Sequence, residues 1–347
     1  MPSTFRVGIT PDFYVDAKGR FEASVEARLN NVPGLEYAPM PPQPNKTATP
    51  EALNEFDAIF AMALNFKAES LKGVERLAVI ARWGVGYDMI DVPALTEADV
   101  LLAITPNAVR RPVAEAILTL IFALAKNVME QDRVVRAGHW RPHLSRLGMC
   151  LEGRTLGSIG CGNIGGEMFR LASGLGFGRF LAYDPYADAE KAKSLNVELT
   201  TLETVLRESD FVAVNCFLNE HTRGLISHAQ LRMLKPTAYL INTARGPIVD
   251  QKALYLALKE RWFAGAGIDV FEVEPLPAGE PIRELDNVIL SPHALAWTEE
   301  IARDNGLEAC DNILAVFRGE VPHGAVNREV LSRPGFQQKL ERYRRNK

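Results

Sequence analysis

The stretch Leu156-Gly157-Ser158-Ile159-Gly160-Cys161-Gly162-Asn163-Ile164-Gly165 decides the fold of this chain. An apolar run ends at Gly160, the spacing Gly-x-Gly-x-x-Gly follows, and a helical apolar pattern then begins. The first glycine permits a tight turn, the second lets the backbone approach a pyrophosphate, and the third lets helix and strand pack closely. The N-terminus of the helix offers N–H groups to the anion. The stretch therefore predicts a βα unit that binds a dinucleotide.

An acidic residue stands where such a unit needs one. Asp184 ends the next apolar run and lies 19 residues after Gly165. A carboxylate there can accept hydrogen bonds from both ribose hydroxyls of NAD and repels the additional phosphate of NADP. The glycine spacing alone is as typical of a turn that only packs a helix on a strand, but strand, helix and acid together favour NAD.

Further strand-like runs continue the pattern on both sides of this unit. Those in the second part are 156–160, 180–183, 211–215, 238–242, 266–270 and 288–290, and those in the first part are 6–9, 57–62, 77–80 and 100–104. Helix-length segments separate most runs of the second part, which predicts a parallel, doubly wound α/β sheet. A buried helix from about Pro112 to Ala137 is predicted to join the two parts.

The predicted domains follow from this pattern. Residues 1–106 form the first part of a substrate-binding domain, and 107–296 form a Rossmann-type NAD-binding domain. Residues 297–335 contain an amphipathic helix that returns to the first domain. The basic end, 336–347, is predicted to be a solvated tail.

Composition restricts the classes of function. The chain has 347 residues, 47% of them hydrophobic, and a formal net charge of −4. This balance gives no basic surface for nucleic acid and no polybasic patch for a membrane. The cysteines, Cys150, Cys161, Cys216 and Cys310, form no Cys-x-x-Cys pair. We therefore expect a cytoplasmic protein without a disulfide framework or a metal site.

Polar side chains follow the last three predicted strands. Arg245 comes after the fourth strand of the second part, Glu274 lies beyond the fifth, and His293 follows the sixth in Ser291-Pro292-His293. Ligands of open α/β sheets bind outside the carboxyl ends of the strands. Arginine can hold a carboxylate bidentately, histidine can give or take a hydroxyl proton, and glutamate can fix the histidine tautomer. Each residue alone could equally be an ordinary structural or surface residue. Together they predict a site that moves a hydride to or from a 2-hydroxy or 2-keto acid.

These motifs carry a resemblance over nearly the whole chain. It resembles the D-isomer-specific 2-hydroxyacid dehydrogenases in Arg82–Asp88, Val113–Glu115, Gly160–Gly165, Tyr183–Pro185, Ile241–Gly246, Val249-Asp250, Gly267–Pro275 and Ser291–His293. The resemblance implies an α/β fold in which the cofactor domain is inserted into a flavodoxin-like substrate domain. It also implies closure over a cleft, a homodimer built on the cofactor domains, and a substrate of the glyoxylate or hydroxypyruvate type.

The resemblance also implies roles for individual residues. Arg245 would bind substrate, His293 would be the acid/base, Glu274 would pair with it, and backbone N–H groups around Val85 and Gly86 would grip the substrate carboxylate. Asp269 would hold the nicotinamide carboxamide. The full set of expected cofactor contacts is Gly160, Gly162, Asn163, Ile164, Gly165, Asp184, Thr243, Ala244, Arg245, Asp269 and His293.

Several positions depart from the family pattern. Phe217 stands where proline is usual, and its ring would either stack on the adenine or only pack. Trp297 would narrow the pocket or seal the domain junction. Trp140 would reach the partner's pocket or lie within the dimer contact. The segment Ala61–Asn65 lacks the arginines that phosphoglycerate members carry, which disfavours 3-phosphoglycerate dehydrogenase. An NAD-sensing co-repressor of the same fold is a further alternative that measured turnover would separate.

Overall fold

The computed structural model describes residues 4–344, which form two compact units. Unit 1 consists of the chain up to Val109 together with the chain from Trp297, and unit 2 is Arg110–Ala296. Unit 2 is thus inserted into unit 1. The boundary predicted from the sequence, residue 106, lies three residues before the observed one.

Both units alternate strands and helices. The strands are β1 (Phe5–Ile9), β2 (Leu35–Pro39), β3 (Ala58–Ala61), β4 (Val79–Arg82), β5 (Leu101–Ala103), β6 (Thr155–Ile159), β7 (Arg179–Tyr183), β8 (Val197–Leu199), β9 (Phe211–Val214), β10 (Tyr239–Asn242), β11 (Gly265–Ile268) and β12 (Val288–Leu290). The helices are α1 (Phe13–Asp16), α2 (Glu22–Leu29), α3 (Pro50–Leu53), α4 (Val92–Glu97), α5 (Pro106–Ala125), α6 (Val128–Arg136), α7 (Asn163–Ala172), α8 (Ala189–Ser194), α9 (Leu202–Glu208), α10 (His228–Leu231), α11 (Gln251–Lys259), α12 (Glu299–Phe317) and α13 (Pro334–Arg344).

Unit 1 is built on a parallel sheet of order β2-β1-β3-β4-β5, the flavodoxin-like order. Apolar side chains of α2, α12 and α13 cover one face, and those of α3 and α4 cover the other. Strand β2 was not predicted because it is an edge strand with only one buried residue, so its sequence has no apolar run.

Unit 2 is built on a parallel sheet of order β12-β11-β10-β9-β6-β7-β8. The strand order reverses between β6 and β9, which is the switch point where doubly wound sheets bind ligands. The loops after β6, β10, β11 and β12 therefore meet along one edge of the sheet. The predicted fold class, a doubly wound sheet inserted into a flavodoxin-like unit, is confirmed. Edge strand β8 was missed for the same reason as β2.

The helix predicted from Pro112 to Ala137 is in fact two helices. Helix α5 already begins at Pro106 and keeps Pro112 inside, whereas Asn127 takes a left-handed conformation with φ 55° and ends the run. Helix α6 then continues at 58° to α5. Within the described residues, the length and apolarity needed to cross a membrane are met by no single helix, only by α5 and α6 taken together across this bend.

The prediction of a solvated tail from residue 336 is wrong. Helix α13 packs on unit 1 and buries three apolar side chains, Phe336, Leu340 and Tyr343. The Lys339 ammonium is also buried and donates to three backbone carbonyl oxygens at 2.7–3.2 Å. The many basic residues in this segment suggested a solvated tail. They hide the helical spacing of its apolar residues, which lie on the other face of an amphipathic helix. Residues 345–347 lie outside the described part of the chain.

Candidate functional site

The glycine-rich loop after β6 has the geometry that its sequence predicted. Gly160 has φ +102°, and a Cβ there would lie 2.7 Å from the backbone of Asn215 and Cys216. A Cβ on Gly165 would lie 2.5 Å from the Gly160 carbonyl oxygen. Both positions exclude a side chain because the backbone itself is in the way. Gly162 differs, since a Cβ there would meet nothing within 4 Å.

The open space at Gly162 fits a dinucleotide. Gly162 and Asn163 are exposed and Ile164 is half-buried at the N-terminus of α7. The first backbone hydrogen bond of this helix runs from Gly166 N to Gly162 O at 3.0 Å. The N–H groups of the first turn before Gly166 therefore have no acceptor within the helix. This turn can hold a pyrophosphate, and NAD would be held by this loop.

Asp184 lies beside the same loop at the end of β7. Its Oδ2 accepts from Cys161 N at 2.8 Å, and its Oδ1 accepts from Tyr186 N at 2.9 Å. The carboxylate therefore fixes the glycine-rich loop, a role that the sequence did not show. A carboxylate has about four acceptor sites, so capacity remains for ribose hydroxyls.

The turn Thr243–Arg245 after β10 is braced from beneath by Asn242. The buried Asn242 side chain accepts from Ala244 N at 3.1 Å and donates to Arg245 O at 3.0 Å. The Thr243 hydroxyl oxygen is buried and has no hydrogen-bond partner among the described residues. A polar atom left in this way is typical of a ligand site, and the predicted cofactor contacts include this turn.

Close backbone packing brings the Arg245 turn to the loop after β11. A Cβ on Gly246 would lie 1.9 Å from the Phe271 carbonyl carbon, so only glycine fits. The Arg245 guanidinium donates to Ala244 O at 2.7 Å and lies close enough to Glu274 to lower the pKa of that carboxyl. The structure thus brings Arg245 and Glu274 together, as the sequence predicted.

Asp269 organises the segment that carries the histidine. Its Oδ1 accepts from Ser291 Oγ at 2.6 Å and from the N–H groups of Ala294 and Leu295 at 3.2 and 3.3 Å. Its carbonyl oxygen accepts from His293 N at 2.8 Å. None of the described residues donates to Oδ2, which remains available for the predicted carboxamide contact. Asp269 is therefore both a candidate cofactor ligand and a support for the 291–295 segment.

His293 and Glu274 form a hydrogen-bonded pair. His293 Nδ1 lies 2.8 Å from Glu274 Oε2, and Glu274 Oε1 accepts from Phe271 N at 2.9 Å. His293 has φ 53°, a left-handed conformation that few non-glycine residues adopt and that is common at functional sites. The other ring nitrogen, Nε2, has no hydrogen-bond partner in the described part of the chain.

The environment of Glu274 keeps it charged. Burial raises the pKa of the Glu274 carboxyl, but the hydrogen bond and charge of His293, the Phe271 N–H and the charge of Arg245 together lower this pKa below its usual value. An ionised Glu274 can only accept, so His293 Nδ1 must carry the proton of the pair. The Nε2 atom is thereby left as the reactive nitrogen.

Unit 1 presents the second predicted binding element after β4. Gly84 has φ +126°, and no described residue accepts a hydrogen bond from the N–H groups of Val85 or Gly86. Two adjacent donors of this kind can bind a carboxylate.

Trp297 packs edge-on against Trp83, with ring centroids 6.1 Å apart.

The segment from α6 to Cys150 is unusually exposed. Helix α6 buries none of its nine residues, although Val128, Met129 and Val135 are apolar. The following loop leaves Trp140 62% and Leu147 88% exposed. Apolar side chains exposed together in this way are typical of a contact surface.

Comparisons with known proteins agree with this geometry. The family model described as D-isomer specific 2-hydroxyacid dehydrogenase, NAD binding domain, matches residues 118–294. A glyoxylate reductase of Korarchaeum cryptofilum is 41% identical over 300 residues, which cover 85% of this chain and 90% of that protein.

Solved structures extend the similarity to the three-dimensional fold. A holo form of Rhodotorula graminis D-mandelate dehydrogenase is 28% identical with a TM-score of 0.81, and the match covers 94% of this chain and 98% of that chain. A glyoxylate reductase from Paecilomyes thermophila is 26% identical with a TM-score of 0.78, covering 95% of this chain and 100% of that chain. The similarity to these solved structures therefore includes both units of this chain.

Proposed function

The chain belongs to the D-isomer-specific 2-hydroxyacid dehydrogenases, and on that premise we propose that it reduces a small 2-keto acid of the glyoxylate or hydroxypyruvate type. It is an NAD-dependent oxidoreductase. The observation that carries the proposal is the His293–Glu274 pair beside Arg245, on the same sheet edge as the dinucleotide loop.

The proton is handled by His293. NAD supplies the hydride acceptor, and NADH the hydride donor, when bound. In reduction, His293 Nε2 donates a proton to the substrate oxygen, and in oxidation Nε2 accepts it. Glu274 holds the proton on Nδ1 and stabilises the imidazolium with its charge. This arrangement makes Nε2 the only ring nitrogen that changes its protonation state.

Arg245 holds the acid group of the substrate. Its planar guanidinium can bind the carboxylate and the keto oxygen through two N–H donors. The Asn242 amide fixes the backbone on both sides of Arg245, so the guanidinium starts from a defined position. The contribution of the Val85 and Gly86 N–H groups stays a prediction from the family resemblance.

Two features support a small, unphosphorylated substrate. Glyoxylate reductases are among the relatives of at least 35% identity. The segment Ala61–Asn65 in unit 1 contains no arginine, so this segment offers no guanidinium to a phosphate. Both features disfavour 3-phosphoglycerate dehydrogenase.

The test is a panel of keto acids with NADH and NADPH, followed by NADH or NADPH absorbance. We expect turnover of glyoxylate or hydroxypyruvate with NADH and little with phosphohydroxypyruvate. His293→Ala should abolish turnover and leave NADH binding nearly unchanged. Turnover of the phosphorylated substrate alone contradicts the proposal. Tight NADH binding without turnover of any member favours the co-repressor alternative.

We also propose a homodimer in the cytoplasm. The exposed apolar residues of α6 and the loop that follows it support a contact between copies. The support for the cytoplasm is the sequence pattern of four scattered cysteines without a Cys-x-x-Cys pair. Light scattering of wild type and Val135→Asp tests the dimer, because a charge in this contact should shift the mass toward the monomer. A second prediction, that Trp140 reaches the partner's pocket, requires a structure of the dimer.

A further inference from the structure

Thr105 forms two hydrogen bonds with Gly84, the residue before the N–H groups that are predicted to bind the substrate carboxylate. We call this pair of hydrogen bonds the clamp. Gly84 N donates to Thr105 Oγ1 at 2.8 Å, and Thr105 N donates to Gly84 O at 3.2 Å. Both residues are buried in unit 1. The Thr105 hydroxyl in turn donates to Asn305 Oδ1 at 2.5 Å. A hydroxyl that accepts one hydrogen bond and donates another has a fixed orientation.

Asn305 belongs to a polar stripe on α12 that faces this part of the chain. Asn305, Glu308 and Asn312 share one helix face by their spacing. Glu308 accepts from Ala108 N at 3.0 Å, and Asn312 Nδ2 donates to Ile104 O at 3.0 Å. Asn305 and Asn312 are almost completely buried. Buried asparagines are costly unless they are hydrogen-bonded, so the stripe serves to hold the segment 104–108.

The residue held by Thr105, Gly84, directly precedes the two N–H groups that are predicted to bind the carboxylate. Gly84 is held through both its N–H and its carbonyl, whereas the N–H groups of the next two residues, Val85 and Gly86, have no acceptor among the described residues. The direction of a peptide N–H is set by the dihedral angles of the residues before it. Holding Gly84 at φ +126° therefore constrains the Val85 N–H directly and the Gly86 N–H through Val85.

We propose that Thr105 and Asn305 are positioning residues for substrate, which hold the Gly84–Gly86 backbone ready to bind the carboxylate. The proposal rests on the proposed function. Without the clamp, the turn must be ordered when substrate binds, and the ordering cost weakens binding. The carboxylate is held equally before and during hydride transfer, so the loss should raise KM more than it lowers kcat.

The test compares Thr105→Val with Thr105→Ser. Valine keeps the shape but removes the hydroxyl, and we expect KM for glyoxylate to rise on the order of 10-fold while kcat changes by less than about threefold. Serine keeps the hydroxyl and should restore KM to within about twofold of wild type. The NADH dissociation constant, measured by fluorescence, should be unchanged in both variants because the dinucleotide loop lies in unit 2.

Thr96→Val is the matched control in the same unit. The Thr96 hydroxyl also has a buried asparagine partner, Asn327, whose Nδ2 lies 2.9 Å away, but it does not contact Gly84. This variant should lose thermal stability and keep wild-type KM. If Thr105→Val does not fold, Asn305→Ala replaces it, because it removes the acceptor of the Thr105 hydroxyl and should still raise KM.

The outcomes separate the two proposals. A wild-type protein that reduces no 2-keto acid overturns the proposed function and this inference with it. Wild-type turnover combined with an unchanged KM in Thr105→Val, or in Asn305→Ala when that variant replaces it, overturns the inference alone. An equal rise of KM in Thr96→Val and Thr105→Val also overturns it, since the effect would then be general destabilisation.

Discussion

Replacing Glu274 with glutamine keeps the size of the side chain and removes its charge. In the wild type one oxygen accepts from Phe271 N and the other faces His293 Nδ1. The glutamine amide has only one oxygen, so one of these two contacts must be lost. If the amide nitrogen faces His293, it drives the imidazole proton to Nε2, which is the wrong tautomer for accepting a proton from substrate.

The size of the effect follows from the hydrogen bond that is lost. Hydrogen bonds to charged groups contribute about 1.5–3 kcal/mol. The side chains of His293 and Glu274 are 44% and 37% exposed, so solvent screening favours the lower end of this range. About 1.5–2 kcal/mol corresponds to a loss of about 10- to 30-fold in kcat/KM at about 1.36 kcal/mol per tenfold.

The assay is kcat/KM against pH in both directions. The pKa of the Glu274 carboxyl is lowered in the folded protein. The ionised carboxylate therefore contributes its full stabilisation of the folded state above the ordinary pKa of 4.5, and this contribution is lost only as pH falls through the lowered pKa. Glu274 therefore stays charged at every pH above its ordinary value of 4.5. Reduction should lose rate as pH rises, oxidation should gain rate, and the reductive limb should move to lower pH in Glu274→Gln.

Glu272→Gln is the control. It also removes a carboxylate from this loop, but Glu272 exchanges hydrogen bonds with Gln251 rather than with His293. We expect a wild-type pH profile for Glu272→Gln. A reductive limb that stays in place in Glu274→Gln, or that moves equally in both variants, refutes the proposed coupling between Glu274 and His293.

Three further variants test other parts of the site. Arg245→Lys keeps the charge but loses the bidentate fork, so kcat/KM should fall on the order of 100-fold with the fold intact; wild-type kinetics would remove Arg245 from the site. Asp184→Asn keeps one oxygen for Cys161 N, loses the acceptor of Tyr186 N and removes the charge, so titrations should show the preference for NADH over NADPH narrow on the order of 10-fold; an unchanged ratio contradicts this role. Gly165→Ala places a methyl 2.5 Å from the Gly160 carbonyl oxygen and should lower the free energy of unfolding by about 1–3 kcal/mol, whereas Gly174→Ala, which meets no atom within 4 Å, should not; urea unfolding compares the two.

The sequence by itself determined the fold class and most of the site. Glycines constrain the backbone locally, so the spacing Gly160–Gly165 predicts the turn, the helix start and the anion site without knowledge of the rest of the chain. The acid at the end of β7 and the residues after β10 and β12 could be placed because the carboxyl ends of parallel strands share one edge. The Glu274–His293 contact was implied by the family resemblance and is present.

Tertiary structure alone decided the supports of the site. Asn242, Asp269 and Thr105 act through hydrogen bonds to backbone groups, in the case of Asp269 and Thr105 more than 20 residues away, and no local pattern encodes such a partner. The end of the chain was mispredicted for a related reason. Whether basic residues at helical spacing lie in solvent or cover a core depends on a surface formed by distant strands, and for α13 that surface is the sheet of unit 1.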